Sequence, residues 1–275
     1  MKLTILGSGT SNGVPVIGCS CPVCSSTDSK DKRMRCSLYI EGALGERVVI
    51  DTGPEFRLQA LRAGITALDA IFLTHAHADH VHGLDDIRPL CREKPIPIYG
   101  NELTIAEFRE RFSYIFRETQ LGGGKPHIEP IKVSLPVQLG SLTFTPIPVK
   151  HGKIDVFGWV IAERIVHNKT QKTVTVVYLT DCSYIDEPAY TLISEYSPVA
   201  LAIIGGLRNR PHETHFSFEQ ALNAGIRMGA GQIFLTHICH THLNQEIEDY
   251  CRNFAPKPGS ATQMGPAWDG LELYL

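Results

Sequence analysis

Residues 69–80 read Asp-Ala-Ile-Phe-Leu-Thr-His-Ala-His-Ala-Asp-His. The apolar run Ala70–Leu73 has the length and β-branched character of a buried strand. It delivers His75, His77, Asp79 and His80 within six positions of one another. Neutral imidazoles with a carboxylate suit divalent zinc, manganese or iron. In an extended segment His75 and His77 point the same way, while Asp79 and His80 turn toward a second point. One loop can thus serve two adjacent ions.

Two ions need further ligands, and three more apolar runs each end on one. His151 closes Pro-Val-Lys-His, Asp181 follows Tyr-Leu-Thr, and His237 follows Phe-Leu-Thr. Alone, a histidine at a strand end is more often a surface residue and an aspartate there a cap. Four strand ends that all release His or Asp form a joint pattern. On that pattern His75, His77 and His151 hold one ion and Asp79, His80 and His237 the other. Asp181, as a carboxylate, bridges both. Ions about 3.5–4 Å apart lower the pKa of shared water toward about 7, which makes a nucleophile at neutral pH.

The rest of the chain fits a layered α/β architecture. Strands are expected at Lys2–Leu6, Ser37–Glu41, Arg47–Ile50, Leu142–Val149, Phe157–Ala162, Thr173–Leu179, Leu201–Ile204, Ile233–Thr236 and Leu271–Leu275. Helices are expected at Phe56–Ala63 (stopped by Gly64), Glu187–Tyr196, Ser217–Met228 and Asn244–Asn253. Ser217 with Gln220 reads as a capping box. An amphipathic helix over 102–117, then Gly122-Gly123-Gly124, reads as a helical insertion near 102–126 with a flexible connector or lid hinge. Residues Lys153–Val156 read as a loop. Two β-rich halves flanked by helices suggest two sheets packed face to face, in one domain spanning 1–275.

With 275 residues, 43% of them hydrophobic, the chain can bury a large core. Its net charge of -3 favours neither nucleic acid nor an acidic membrane as partner. The opening Met-Lys-Leu-Thr-Ile-Leu-Gly is too short an apolar run for a signal peptide, and no stretch reaches membrane-spanning length. A cytoplasmic location is the expectation. Under it the eight cysteines are reduced or metal-bound. Cys19, Cys21 and Cys24 are spaced to hold one structural zinc if a fourth ligand arrives from elsewhere. His240 is the candidate, with Cys239 its rival, and a redox-sensitive thiol cluster is the other explanation. Such a zinc would clip the 19–24 loop beside the metal centre.

Thr74–His80, His151, Asp181 and His237 resemble the successive metal motifs of the metallo-β-lactamase superfamily, over nearly the whole chain. The resemblance implies an αββα four-layer sandwich with two divalent catalytic ions at one edge, zinc or manganese before iron. The motif set is weak for substrate, because members hydrolyse β-lactams, thioesters, phosphodiesters and lactones. The Cys-x-Cys-x-x-Cys loop with Thr-His-Ile-x-His is similar to the cyclic-phosphate phosphodiesterase group of the carbon–phosphorus lyase pathway. It also resembles the pyrroloquinoline quinone biosynthesis protein B group.

The first likeness implies a dinuclear phosphodiesterase acting on a small, cyclic sugar or nucleotide phosphate such as ribosyl 1,2-cyclic phosphate. By the same likeness His215, just before a helix start, protonates the leaving oxygen, with Asp79 beside it in the catalytic set. A homodimer is likewise an expectation from resemblance. Arg208 and Arg210 either fork onto phosphate oxygens or are solvated loop charges. Three other readings stay open: an iron-dependent oxygenase or hydroxylase, another ester or lactone hydrolase, and a non-catalytic metal-binding protein.

Overall fold

The computed structural model of the chain describes residues 1–118, 124–167, 170–254 and 262–275. Most of the glycine connector at 122–124 therefore lies outside the described residues. The first half contributes β1 (Lys2–Gly7), β2 (Ser37–Glu41), β3 (Arg47–Ile50), β4 (Ala70–Phe72), β5 (Ile96–Gly100) and β6 (Ile128–Lys132). The second contributes β7 (Val137–Leu139), β8 (Leu142–His151), β9 (Ile154–His167), β10 (Thr170–Leu179), β11 (Val199–Gly205) and β12 (Gln232–Thr236). Strands β13 (Gln263–Pro266) and β14 (Glu272–Tyr274) close the chain. They form two seven-stranded sheets, ordered β14-β1-β2-β3-β4-β5-β6 and β13-β12-β11-β10-β9-β8-β7.

Each sheet is covered on both faces, which is why its central strands read as unbroken apolar runs. Between the sheets, Leu3, Ile40, Ile50 and Phe72 meet Phe144, Trp159, Val176 and Ile203. Phe72 stacks on Phe144 at 4.0 Å and meets Trp159 edge-on at 4.9 Å. The helices are α1 (Pro22–Ser25), α2 (Phe56–Ala63), α3 (Ala78–Val81), α4 (Glu102–Arg111), α5 (Ser113–Phe116), α6 (Glu187–Ser194), α7 (Phe218–Arg227) and α8 (Asn244–Asn253). Helices α2 and α4 supply Phe56 and Phe108 to the core outside the first sheet. Helices α6, α7 and α8 supply Ile193, Leu222 and Ile247 to the core outside the second. The result is the αββα sandwich.

Local chemistry explains where several elements stop. Gly64 takes the left-handed conformation (φ 66°) that ends α2, and Ser217 with Gln220 forms the capping box of α7. Two expectations need correction. The helix over 102–117 breaks at Phe112 into α4 and α5, and the break lets the Tyr114 hydroxyl donate to Asp85. The Lys153–Val156 segment is mostly strand: β8 and β9 are joined through Gly152 (φ 60°) and Lys153, and pairing resumes at His151–Ile154. That hairpin carries strand structure beyond the 142–149 and 157–162 boundaries in both directions.

Candidate metal centre

Strands β3, β4 and β5 run parallel in the first sheet, and β10, β11 and β12 in the second. Ligand sites in open α/β sheets gather beyond the carboxyl ends of such strands. Asp51 follows β3, the His75–His80 loop follows β4, Asp181 follows β10 and His237 follows β12. His151 is the last residue of β8. Three of these positions, Asp51 (φ 61°), Asp181 (φ 46°) and His237 (φ 56°), are held in the left-handed region. That conformation costs about 1–3 kcal/mol in a non-glycine residue, and Asp and His tolerate it better than most.

The structure brings His75, His77, His151 and Asp181 into one group and Asp79, His80, Asp181 and His237 into a second. Within each group the donor atoms lie within 4.8 Å of one another. Asp181 belongs to both, and its two oxygens divide between them. Oδ2 is 3.7 Å from His75 Nε2 and 3.6 Å from His151 Nε2. Oδ1 is 3.3 Å from His80 Nε2 and 2.9 Å from His237 Nε2. Neither His80 Nε2 nor His237 Nε2 makes an aligned hydrogen bond, although both are buried. Buried donors without partners are costly, so a shared cation is the chemistry this arrangement fits.

The charges agree. Burial opposes protonation of His80 and His237, yet nearby carboxylates, Asp181 foremost, raise His80 well above its ordinary value and His237 to about 9. Without a cation, protons are drawn into the space between these carboxylates and rings. Burial and neighbouring imidazoles lower His75 and His77, which favours the neutral rings that a cation binds, and His75 Nε2 lies 2.9 Å from His77 Nδ1.

Sequence reasoning missed the groups that aim these ligands. Asp51 Oδ2 lies 2.7 Å from His80 Nδ1, while Thr74 donates to the same carboxylate from its backbone and its hydroxyl. The Thr214 carbonyl accepts from His151 Nδ1 at 2.7 Å. Each contact points the other ring nitrogen at the centre. The signal for Asp51 was present, because Val48-Val-Ile-Asp51 repeats the strand-end pattern seen at Asp181.

His215 lies at the rim. Its Nδ1 is 4.0 Å from Asp181 Oδ2, and its ring stacks on His237 at 4.7 Å. Burial first, then the imidazoles of His237, His151 and His212, push it down to about 3, so at rest it is neutral. Arg208 donates to the Pro211 carbonyl of its own loop, and Arg210 is exposed. Neither belongs to the two ligand groups.

The cysteine loop sits on the far side of His237. His240 Nδ1 is 3.4, 3.5 and 3.5 Å from the sulfurs of Cys19, Cys21 and Cys24. Zn–S of about 2.3 Å and Zn–N of about 2.0–2.1 Å at tetrahedral angles require about 3.6 Å between nitrogen and sulfur. The four atoms fit one zinc. Cys239 turns instead toward the Thr241 hydroxyl. Between the two sites, Ile238 donates to the Ser8 carbonyl and accepts from Thr10, which laces this loop to the end of β1.

A cavity of about 710 Å³ is lined by Arg57, Leu61, Arg88 and Cys91 among others and shares no residue with these clusters. Its size alone carries no chemistry. A smaller one of about 130 Å³ adjoins His75 and His77.

The profile of the β-lactamase superfamily domain matches residues 46–238, a span that holds every ligand of the two His/Asp groups. The chain belongs to this superfamily. It has the metallo-β-lactamase fold, and its His/Asp groups form a candidate metal site. It is similar to the crystal structure of a diphosphatase from the PhnP family, with TM-score 0.81 and 36% identity over 99% of this chain and 96% of that one. Zinc-bound PqqB from Methylobacterium extorquens shares the fold at TM-score 0.75, with 17% identity and full coverage of both chains. A Porphyromonas gingivalis octanoyltransferase is 38% identical over 250 residues, 90% of this chain and 48% of that protein. The chain thus spans about half the length of that relative. No helix among the described residues is long and apolar enough to cross a membrane.

Proposed function

We propose that the protein is a metal-dependent phosphodiesterase whose substrate is a small, cyclic sugar or nucleotide phosphate. The division of the Asp181 carboxylate between two ligand groups, with His215 above it, carries this reading. Likeness to a PhnP-family diphosphatase supports phosphorus as the electrophile. Octanoyl transfer is not carried over, since this chain covers only 48% of the protein so named.

Zinc or manganese in both groups would supply a water of lowered pKa and offset charge on the phosphate. His75, His77 and His151 would hold one ion, Asp79, His80 and His237 the other, and Asp181 both. Asp51, Thr74 and Thr214 keep the rings aimed. His215 rests neutral because burial disfavours its cation; the anionic phosphodiester bound beside it would favour the cation. It then holds a proton where the leaving oxygen departs. Arg208 and Arg210 stand on the same loop as His215 and would meet phosphate oxygens by turning toward the centre.

Hydrolysis of bis(p-nitrophenyl) phosphate, with metals quantified on the same sample, tests the reading. Turnover that requires about two ions beyond one structural zinc supports it. Fully loaded protein that leaves the diester intact overturns it.

A further inference from the structure

Helix α4 stands beside the metal ligands but has no part in the chemistry so far. It forms one wall of the cavity of about 130 Å³ whose floor is His75 and His77. The opposite wall is the β8–β9 turn with Ile154. Asn101 locks the two walls together: its Oδ1 accepts from the Thr104 amide at 2.7 Å and its Nδ2 donates to the Asp155 carbonyl at 3.2 Å. The groove is therefore built rather than incidental.

Its chemistry is mixed in a particular way. Leu103 and Ile154 face it from different elements, yet they are 49% and 38% exposed. Two solvated aliphatic side chains flanking a cleft gain by covering a flat apolar surface. At the edge lie Glu107 and Arg111, paired at 3.4 Å. A carboxylate there can accept from ring N–H and exocyclic amino groups, and a guanidinium can stack on a ring face. A closed apolar cavity of about 150 Å³ holds one benzene. This groove, of about 130 Å³ but open on one side, can take the inner edge of a larger planar base, whose outer edge stays in solvent.

We propose that it seats the nucleobase of a nucleotide whose phosphate lies at the metal centre, an assignment that rests on the phosphodiesterase reading for the phosphate alone. A base-free sugar phosphate leaves Leu103 and Ile154 uncovered and Glu107 with Arg111 alone as its partner. Leu103, Ile154 and Glu107 are then the specificity-determining residues.

Calorimetric titration of the metal-loaded protein with AMP and with ribose 5-phosphate isolates the base, because the two ligands share sugar and phosphate. AMP should bind at least about tenfold more tightly, the scale of one apolar pocket contact. In the Leu103→Ser/Ile154→Ser double variant that ratio should fall toward one. Both positions are partly solvated, so folding is not at stake; Leu103→Trp, which fills the groove from the helix, gives an independent second readout. Equal affinities in the unmodified protein, or a ratio that survives both variants, overturn the proposal. Protein that hydrolyses diesters but shows no base-dependent ratio loses the ring seat alone. Protein inert on diesters that still shows a variant-sensitive ratio keeps the ring seat and loses the hydrolase reading.

Discussion

Asp51 touches none of the four atoms expected around an ion, yet it fixes the one ring that stands between three carboxylates. Its Oδ2 contacts His80 Nδ1, and its other oxygen accepts from the Thr74 amide at 2.8 Å. Asp51→Asn keeps the shape and tolerates φ 61° but removes the charge that orients His80. Metal affinity should fall by about 10–100-fold with the fold retained, as read by competition with a chromophoric chelator. Unchanged affinity would show that Thr74 alone aims the loop. Asp181→Ala acts differently, because it removes the one group common to both clusters; loading and turnover should disappear together. For His215→Ala, loading should persist while the rate on a poor leaving group drops by about 10²–10⁴. A rate that does not move takes His215 out of catalysis.

At the level of elements, the cysteine loop and helix α3 each depend on a short-range contact. The Cys24 amide, then His240 and the neighbouring thiols, lower Cys21 against its own desolvation, from 9.0 to about 6. A depressed thiol favours the folded loop fully above pH 9 and progressively less as pH falls, until the advantage is gone below about 6. Zinc binding displaces protons in the same sense. The affinity of the loop for zinc, read by competition with a zinc-sensitive dye, should therefore weaken steadily as pH falls. An affinity that does not change with pH would argue that these thiols hold no ion. Helix α3 rests on two glycines. A methyl on Gly83 would lie 2.0 Å from the Gly53 carbonyl, and one on Gly53 would lie 2.3 Å from that of Asp79. Gly83→Ala should cost about 1–3 kcal/mol in a denaturant titration, because backbone must move rather than a side chain.

The same scale shows what the sequence made legible. Central strands such as β3 and β11 announce themselves, since burial on both faces demands unbroken apolar residues. Strands β6, β7 and β13 sit at or near sheet edges, are short and half solvated, and in two cases contain proline (Pro130, Pro266). Their signal is weak for that reason. Strand β5, with Pro97, is hidden likewise. Ligands at strand ends could be read one by one, whereas Asp51, Thr74 and Thr214 act only through partners brought near by folding.

On the scale of the whole molecule, the two sheets are joined at one edge by the metal centre as well as by the core. Asp51 and the His75–His80 loop leave the first sheet; His151, Asp181 and His237 leave the second. Ions there would bind only when both sheets are in place, so their binding energy becomes folding energy. Removing them leaves the Asp79 and Asp181 carboxylates facing His80 and His237 in a buried space, at the cost of taking up protons. Chelator-treated protein should therefore melt lower than loaded protein. Zinc or manganese restored to 100 times its dissociation constant should return about 2.7 kcal/mol per site. The cysteine loop would contribute to the same measurement, so it is best made in a Cys19→Ser variant, where only the inter-sheet centre remains. A metal-dependent rise in that variant places the stabilisation between the sheets. A melting curve indifferent to added metal would mean that the converging histidines and aspartates hold no ion, and that the sheets are held by Phe72, Phe144, Trp159 and their neighbours alone.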